Sequence, residues 1–591
     1  MSAVDQPRVR DPQALPLADA VHDWALRKRQ SPELAQALAR AVRAEADGHA
    51  CVRLADHHPD EQPIDLARLR QQPWVGDGSV VTPAVLTAQG DFFLWRNWRH
   101  EQVVGDALRS RIAKAEEIDP SCWRAAHAQL FEGMDAHDSA GQRDAVSRAL
   151  GKRLFVLTGG PGTGKTSTVL RLLLLQHRVA VAAERTPPTM ALAAPTGKAA
   201  QRLSQAVRDG KAQLAAALAS HQGWGDALAA IPERAQTLHR LLGALPESDT
   251  FRHHPGQLLP HDIVVVDEAS MVDLALMRAL LDALAPSALL VLVGDPDQLV
   301  SVSAGSVLAD IAAVAGRSAN DFARHRARLV HVWRTGSALA RVNAAVGRGD
   351  GVEMLLGLGR VRDSGMQVVS DTRALAARVQ QWLTRPEWAA LFAACAGDRD
   401  PGVAFAALRE LQLLTALRNG PFGSEALSLA LDAHWRRSGG TWYPGRAVLI
   451  RHNDYTRRLF NGDVGLAIGR GASLRVVFET TDADGRPGLR HLLPRELPEH
   501  DLAGAITIHK SQGSEYGHVA VLLPPAADNR ILSRQLLYTA ISRARRSVEI
   551  WSSPESLGAA LAQVSMRAGG LRQRLSALEA DGDLTNHNAS I

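Results

Sequence analysis

Residues 159–166 form a glycine-rich segment that ends in a lysine and a hydroxyl side chain, reading Gly-Gly-Pro-Gly-Thr-Gly-Lys-Thr. An apolar run, residues 154–157, precedes the segment, and an amphipathic stretch follows it. Glycines allow the backbone to wrap around phosphates with N–H groups pointing inward, and the start of the following helix adds positive charge. A strand, a glycine loop and a helix in this order predict a nucleoside triphosphate site, with a glycine-rich surface turn as the alternative.

Within this loop we expect Lys165 to reach the β and γ phosphates and the Thr166 hydroxyl to bind Mg²⁺. The predicted phosphate-binding residues are Gly159, Gly160, Pro161, Gly162, Thr163, Gly164, Lys165 and Thr166.

Two carboxylates, Asp267 and Glu268, follow a second apolar run at residues 263–266. Asp267 is suited to hold Mg²⁺, usually through water, and Glu268 to orient or deprotonate an attacking water. An acidic helix start would look the same, but the upstream glycine loop favours the catalytic interpretation. After a third run, residues 289–293, the amide of Gln298 is suited to bond the γ phosphate or the water, although a plain Asp-Pro-Asp turn also fits.

Phosphoryl transfer spreads negative charge over the equatorial oxygens, and a cation from a second lobe stabilises that charge. Arg334 lies just past the first group of motifs, and Arg543 lies near the far end of the chain. Taken alone, each reads as a solvated arginine.

The elements that must position these residues are near-continuous apolar runs at 154–157, 191–194, 263–266 and 289–293. Continuous apolarity predicts strands covered on both faces, hence a parallel α/β sheet. Ligands of such sheets bind at the carboxyl ends of the strands, where all the polar motifs begin.

The flanking regions have other patterns. Residues 1 to about 125 contain helical pieces such as 32–46 and an aromatic cluster, Phe92 to Trp98, that reads as core rather than interface. Beyond 336, a helical region runs to about 436, and a helix at 534–544 follows later. Short strand candidates at 446–450, 464–468 and 474–479, separated by Gly and Asp turns, predict a small β-barrel insert, and strands at 505–508 and 519–523 resume the α/β pattern.

Length, composition, net charge and cysteine content limit the class of protein to which the chain can belong. A chain of 591 residues predicts several domains, and 46% hydrophobic with 22% charged residues is ordinary for a globular protein. The net charge of +5 is compatible with nucleic-acid binding without requiring it. The cysteines, Cys51, Cys122 and Cys395, are scattered, which argues against a disulfide scaffold. We find no signal peptide and no run of 18 apolar residues, so we expect a cytoplasmic protein with no membrane contact.

The ordered set of motifs resembles superfamily 1 DNA helicases, and within them the RecD-like chains, the alpha subunits of RecBCD-type exodeoxyribonuclease V. The resemblance spans residues 140 to 552. It is carried by residues 159–166, 194–200, 237–242, 267–268, 294–298, 334, 507–515 and 537–546, and by two stretches typical of RecD-like chains, 417–423 and 459–465.

For the fold, the resemblance implies two RecA-like P-loop NTPase lobes with ATP in the cleft between them. The expected domains are a mainly helical N-terminal partner-docking domain at 1–125, a first lobe with the ATP site at 126–335, and a second lobe at 336–591. An SH3-like β-barrel insert is expected within the second lobe at about 440–500.

For the site, the resemblance implies that Gln142 reads the adenine edge and that Lys165, Thr166, Asp267 and Glu268 act on ATP and Mg²⁺. Gln298, Arg334 and Arg543 would sense or stabilise the γ phosphate. The single-strand channel would be lined by Pro195, Thr196, Lys198, His239, Thr507 and His509. Chemistry alone agrees in part, because amides at the start of a predicted helix at 196–197 would face a phosphate, although a simple helix cap also fits.

The resemblance further implies 5′ to 3′ movement on single-stranded DNA, action at duplex ends in double-strand break repair and recombination, and a heterotrimer with RecB-like and RecC-like subunits. Two alternatives stay open. One is a stand-alone RecD-like helicase of the longer type, which the short region before the motor and the lack of glycine hairpins disfavour. The other is a nucleotide-gated DNA-binding scaffold with little unwinding, which the carboxylate pair and the arginines disfavour.

Overall fold

The structure, a computed structural model, describes residues 14–55, 63–245, 248, 250–315, 321–333, 337–397, 400–436, 441–454, 456–481 and 487–576.

The N-terminal region combines helices with one small sheet. Its elements are α1 (Ala14–Arg27), α2 (Pro32–Ala46), β1 (Val52–Arg53), α3 (Leu66–Arg70), β2 (Val75–Gly76), β3 (Ala84–Leu86), β4 (Asp91–Leu94) and α4 (Trp95–Ala113). The strands run in the order β1-β4-β3-β2. Helix α2 has the predicted bounds because Ser31 caps it and Pro32 occupies its first turn. Phe92, Phe93 and Trp98 are buried, which confirms the aromatic cluster as core.

The first lobe, α6 to β10, is built around a six-stranded parallel sheet. Its elements, with the preceding α5, are α5 (Arg124–Leu130), α6 (Ala140–Arg148), β5 (Leu154–Gly159), α7 (Lys165–Ala182), β6 (Met190–Ala194), α8 (Gly197–Ala217), α9 (Trp224–Ala230), β7 (Ala235–Thr237), α10 (Leu238–Leu242), β8 (Ile263–Val266), α11 (Leu274–Ala283), β9 (Leu289–Gly294), α12 (Val307–Ala315) and β10 (Arg326–Leu329). The strand order is β10-β5-β9-β8-β6-β7.

Strand β5 shows why these strands are apolar throughout. Leu154 and Val156 pack into the hydrophobic core on one face of the sheet, and Phe155 and Leu157 pack into the core on the other. Because both faces are covered, neither set of alternate side chains meets water. The predicted parallel α/β sheet is confirmed.

The second lobe, α13 to α20, holds another parallel sheet and an antiparallel one. The elements, with α21 after them, are α13 (Ser337–Arg348), α14 (Gly351–Leu358), β11 (Gly365–Val368), α15 (Thr372–Leu383), α16 (Pro386–Ala396), α17 (Pro401–Leu408), β12 (Leu411–Thr415), α18 (Ser424–Arg436), β13 (Ala447–Ile450), β14 (Val464–Ile468), β15 (Arg475–Thr481), β16 (Pro487–Leu492), β17 (His500–Leu502), β18 (Ala505–Thr507), β19 (Tyr516–Leu522), α19 (Arg534–Ile541), β20 (Ala544–Ser552), α20 (Pro554–Ala562) and α21 (Leu571–Ser576). The parallel order is β11-β20-β19-β12-β18, and the antiparallel order is β16-β15-β14-β13-β17.

Two details differ from the sequence-based expectations. The helix predicted to reach Ala544 ends at Ile541, because Ala544 already begins β20, which pairs with β19. The region read as helical up to 436 also contains β11 and β12. Strand β12 is a five-residue buried run in a helix-rich setting, and such short apolar runs do not distinguish strand from helix.

After α20, the chain leaves the second lobe and crosses to the N-terminal region. We call residues 563–576 the C-terminal strap. Its Ala568 N–H donates to His49 Nδ1 at 2.8 Å, and its carbonyl accepts from Ala50 N–H at 2.9 Å. The Arg574 guanidinium lies 3.8 Å from the centre of the Trp98 ring. The strap therefore joins the end of the chain to the N-terminal region.

The strap also contacts the first lobe through Arg567. The Arg567 guanidinium donates to Ser301 Oγ at 3.3 Å and to the Gly305 carbonyl at 3.0 Å. Gly305 N–H in turn donates to the carbonyl of Gly48 at 3.0 Å. The loop that follows β9 is thus held by both the strap and the N-terminal region.

The strap contains a buried carboxylate contact that predicts a pH dependence. Glu101 is 2% exposed, accepts from Gly570 N–H at 2.9 Å, and lies 3.7 Å from Arg574 Nε. Burial raises the pKa of Glu101 to about 7 from an ordinary 4.5, although Arg574 opposes the rise. The folded state therefore binds this proton more tightly than the unfolded state, so protonation of Glu101 stabilises the fold. That stabilisation is lost as the pH rises through 7.

We expect hydrogen-exchange protection of the strap in the wild type to fall by about 2 kcal/mol between pH 5.5 and 8, relative to Glu101→Gln. Glutamine still accepts from Gly570 N–H but carries no charge. The measurement is exchange mass spectrometry corrected for the intrinsic exchange rate. Parallel pH profiles for the two proteins would contradict the assignment.

Candidate nucleotide site and nucleic-acid interface

The glycine loop joins β5 to α7 with two left-handed residues, Gly162 at φ 75° and Gly164 at φ 81°. Residues with a side chain rarely adopt this conformation, so glycine is needed at both positions. The Lys165 ammonium donates to the carbonyls of Gly159 at 2.7 Å and Gly160 at 3.0 Å. The loop thus closes around its own lysine, and the cationic group lies where the phosphates of a nucleotide would sit.

The predicted adenine reader, Gln142, lies directly behind the loop. Its Nε2 donates to the Gly164 carbonyl at 3.5 Å, and a Cβ added to Gly164 would lie 2.3 Å from that nitrogen. Its Oε1 is buried and has no hydrogen-bond partner among the described residues. A buried acceptor without a partner is costly, and an adenine amino group is a donor that fits it.

Trp333 lies on the other side of the same loop. Its backbone N–H donates to the Gly162 carbonyl at 2.9 Å, and a Cβ added to Gly164 would lie 3.2 Å from its indole ring. The indole is 39% exposed. An exposed ring beside a phosphate loop is suited to stacking on a nucleobase.

The carboxylate pair lies at the carboxyl end of β8. Asp267 Oδ1 accepts from Glu268 N–H at 2.9 Å, and Glu268 has a φ of 51°, a conformation that costs energy for a residue with a side chain. Burial raises the pKa of Asp267 to about 6, the charge of Glu268 adds to the rise, and Lys165 opposes it. Such a half-buried acidic pair beside a phosphate loop fits a divalent cation, which Asp267 and Thr166, in the first turn of α7, would hold.

Arg543 brings a cation from the second lobe to this region. Its Nη2 donates to Gln298 Oε1 at 2.8 Å, and its Nε donates to the Thr539 carbonyl at 3.1 Å. Burial lowers the pKa of Arg543, and the charge of Glu268 opposes that change. The arginine, the glutamine and the carboxylates therefore line one cleft between the two lobes.

The segment that carries Gln298 is inserted into the second lobe. Leu299 N–H donates to Thr539 Oγ1 at 2.9 Å, and Gln512 Nε2 donates to the Leu299 carbonyl at 3.2 Å. The Leu299 side chain packs within the core of the second lobe. Movement of one lobe against the other must therefore act on Gln298. Arg334, the other arginine predicted from the sequence, lies outside the described residues.

The first-lobe residues predicted to contact DNA lie at one edge of the first sheet. Strands β6 and β7 are paired with Ala194 opposite Thr237, so the residues that follow each strand are neighbours. Pro195, Thr196 and Lys198 follow β6, and His239 lies in α10 directly after β7. The Thr196 hydroxyl accepts from Ala199 N–H at 3.2 Å, so the helix-cap interpretation of Thr196 holds.

The second-lobe residues predicted to contact DNA lie in and after β18. Thr507 ends the strand, and its hydroxyl accepts from Lys510 N–H at 3.4 Å. Burial lowers the pKa of His509, and the charge of Arg567 adds to this effect. A Cβ added to Gly513 would lie 3.6 Å from Ala199 N. The two predicted DNA-contacting sets are therefore close to the same interface between the lobes.

A cleft of about 660 Å³ lies between α8 and the second lobe, and it contains contacts that the motifs did not predict. Arg202 of α8 forms an ion pair with Glu515, which also lies 3.3 Å from Arg545 Nε. Lys198 lies close enough to Asp463 to oppose the rise that burial causes in the pKa of Asp463, to about 6. The sequence shows only that these side chains are charged, and a charge alone does not identify its partner.

Two family comparisons agree with this geometry. Residues 142–304 match the family described as AAA domain, and residues 502–550 match the family described as UvrD-like helicase C-terminal domain. The fold and the site define an ATP-dependent DNA helicase with a nucleotide-binding first lobe. In the described residues, no helix has the length and apolar character needed to cross a membrane.

Full-length relatives narrow the class. The chain is 40% identical over 569 residues to RecBCD enzyme subunit RecD of Mycobacterium tuberculosis, covering 93% of this chain and 92% of that protein. It is 30% identical to the RecD subunit of Haemophilus influenzae, covering 83% and 81%. It is 31% identical to the ATP-dependent RecD2 DNA helicase of Deinococcus radiodurans, covering 82% of this chain and 58% of that protein. The chain belongs to the RecD family.

The position of Lys165 predicts that its removal abolishes motor activity while the protein stays folded. We expect Lys165→Ala to abolish ATP hydrolysis and strand separation with only a small change in the thermal midpoint, because Lys165 lies at the start of α7 beside the phosphate loop and not in the core. Steady-state hydrolysis, a helicase assay and a melting curve measure these effects. Lys211→Ala is the matched control, because Lys211 lies on α8 and pairs with Glu233. Strand separation by Lys165→Ala would contradict the assignment.

The position of Arg543 predicts a loss of turnover rather than of binding. We expect Arg543→Ala to lower kcat for ATP hydrolysis by roughly 10³-fold, as for other arginines that stabilise a transferring phosphoryl group, while nucleotide still binds. Arg546→Ala is a matched control, because Arg546 is three residues away and pairs with Glu410 at the surface. Normal turnover with weakened nucleotide binding would argue against this role.

Proposed function

We propose that this protein is the motor subunit of a RecBCD-type complex, moves 5′ to 3′ along single-stranded DNA, and acts from duplex ends in double-strand break repair and recombination. The observation that carries the motor assignment is the hydrogen bond from Arg543 to Gln298, which joins a second-lobe cation to the carboxylate edge of the first lobe. A cleft sealed by residues from both lobes responds to the state of its ligand.

In this scheme, Lys165 exchanges its contacts with the loop carbonyls for contacts with the β and γ phosphates of ATP. Thr166 and Asp267 are the residues that would hold Mg²⁺, and the ion would supply positive charge against the phosphates. Glu268 orients the attacking water, and its fixed backbone keeps the carboxylate at the end of β8. Arg543 stabilises the charge that develops on the γ phosphate. Arg334 is expected to assist from the segment after β10.

The recognition of adenine falls to Gln142 and Trp333. The open acceptor on Gln142 would bond the adenine amino group, and the exposed indole of Trp333 would stack on the ring. Gln142 of α6 and Trp333 after β10 both contact the glycine loop, so the base would be held next to the phosphates.

DNA is proposed to cross both lobes near their interface. Thr196, His239 and Thr507 offer hydroxyl and imidazole groups, and amides at the start of α8 face the same edge. Such contacts recognise the backbone without regard to base sequence, as a translocase requires. Pro195, Lys198 and His509 complete the proposed set. The antiparallel sheet β13–β17 is our candidate for the SH3-like insert. Residues 1–125 are our candidate for the region that docks on partner subunits.

The subunit role is favoured over the alternatives by the relatives. The RecD subunit of Mycobacterium tuberculosis matches at 40% identity with 92% of its length covered, whereas the RecD2 helicase matches at 31% identity. By this inference the partners are RecB-like and RecC-like subunits, and the complex resides in the cytoplasm. The scaffold alternative is disfavoured by the buried Arg543 and by the carboxylate pair near it.

The test uses the purified chain, alone and with RecB-like and RecC-like partners, on duplexes with either a 5′ or a 3′ single-stranded overhang. We expect DNA-stimulated ATP hydrolysis, and strand separation only when the overhang is 5′, because that polarity loads a 5′ to 3′ motor. Lys165→Ala in the same preparation is the control for contaminating helicases. Unwinding from the 3′ overhang would overturn the direction, and hydrolysis that DNA leaves unchanged would favour the scaffold.

A further inference from the structure

The interface between the lobes contains a closed set of buried hydrogen bonds around Asp295. The Tyr538 hydroxyl donates to Asp295 Oδ2 at 3.0 Å, and Gln298 Nε2 donates to the same oxygen at 3.2 Å. Arg543 completes the set through its 2.8 Å bond to Gln298 Oε1. Tyr538 belongs to α19 and Arg543 lies just beyond the end of that helix, so the second lobe contacts this acid and amide of the first lobe at two points.

This arrangement fixes the orientation of the Gln298 amide. Because its nitrogen is bound by Asp295, its oxygen is directed at Arg543. Asp295 is 2% exposed and Tyr538 is 7% exposed, so water does not substitute readily for either partner. Asp295 Oδ1 accepts from Asp297 N–H at 3.1 Å. The tyrosine is therefore one of three donors that hold a buried carboxylate in place, and the only one of the three that comes from the second lobe.

The tyrosine hydroxyl also lies beside the phosphate loop. A Cβ added to Gly160 would lie 3.1 Å from it, and the Gly160 carbonyl is one of the two that accept from Lys165. The phenol thus lies where the loop, the acid and the second lobe meet. If Tyr538 only filled space, its buried ring would be enough and the hydroxyl would not be needed.

We propose that Tyr538 is a positioning residue of the ATPase, and that its hydroxyl, acting through Asp295, holds Gln298 and Arg543 in the orientation that turnover requires when the lobes meet. The inference rests on the proposed roles of Gln298 and Arg543. Tyr538 does not need to touch the nucleotide, so its contribution should appear in turnover and not in nucleotide affinity.

The test compares two Tyr→Phe variants that remove the same kind of buried bond. Tyr443 donates to Asp432 at 3.0 Å within the second lobe, away from the cleft, so Tyr443→Phe is a matched control. We expect Tyr538→Phe to lower kcat for ATP hydrolysis by about tenfold, the effect of one lost hydrogen bond in a transition state. The Kd for a fluorescent ATP analogue should stay unchanged. Tyr443→Phe should keep the wild-type kcat, with a comparable change in thermal midpoint.

A second comparison asks whether Tyr538 acts through the glutamine. In a Gln298→Ala background, Tyr538→Phe should lower kcat by less than twofold, because the group it positions is gone. A tenfold effect in both backgrounds, or a kcat equal to that of Tyr443→Phe, would overturn the inference. Basal hydrolysis serves as the readout for both comparisons. If DNA does not stimulate ATP hydrolysis by the wild type, the proposed function is refuted. The role of Tyr538 can still be decided in that case, because both comparisons use basal hydrolysis.

Discussion

The hydrogen bond from Arg543 to Gln298 is the contact on which the cleft depends. It joins residues 245 positions apart in the chain, and it forms where both side chains are almost fully buried. A guanidinium buried without partners would be strongly disfavoured. Five hydrogen bonds hold this guanidinium instead. They run to the carbonyls of Thr539 and Ser514, to Gln298 Oε1, and twice to the Ser542 hydroxyl, once from Nε and once from Nη2. The arginine is thereby fixed at the cleft before any nucleotide arrives.

Much of the first lobe could be predicted because its signals are local. The run at 263–266 becomes β8 with those bounds, and the loop from Gly159 to Lys165 joins a strand to a helix as expected. In a parallel sheet, polar residues that follow buried strands converge at one edge. Motif order along the chain was therefore enough to bring the lysine, the carboxylates and Gln298 together.

What could not be predicted depends on contacts between distant residues. Nothing near Tyr538 in the sequence indicates that its hydroxyl meets Asp295, and the docking of Ala568 on His49 spans 519 positions. Leu299 reads as an ordinary residue after a turn, yet it packs in the core of the other lobe. The strand β12 was missed for a related reason, since its identity is set by pairing with β18 and β19 rather than by its own pattern.

The polar character of the interlobe contact has a physical consequence. If Asp295, Gln298 and Arg543 were apolar, burial of their surfaces would hold the lobes together in every state, because hydrophobic association does not depend on the ligand. Polar groups instead have alternative partners, since phosphates and water offer hydrogen bonds comparable with those lost when the lobes separate. Leu299 adds an apolar contact to this polar interface, because its side chain packs in the core of the second lobe. The polar bonds between the lobes can therefore be exchanged for bonds to a ligand, whereas the apolar contact of Leu299 cannot.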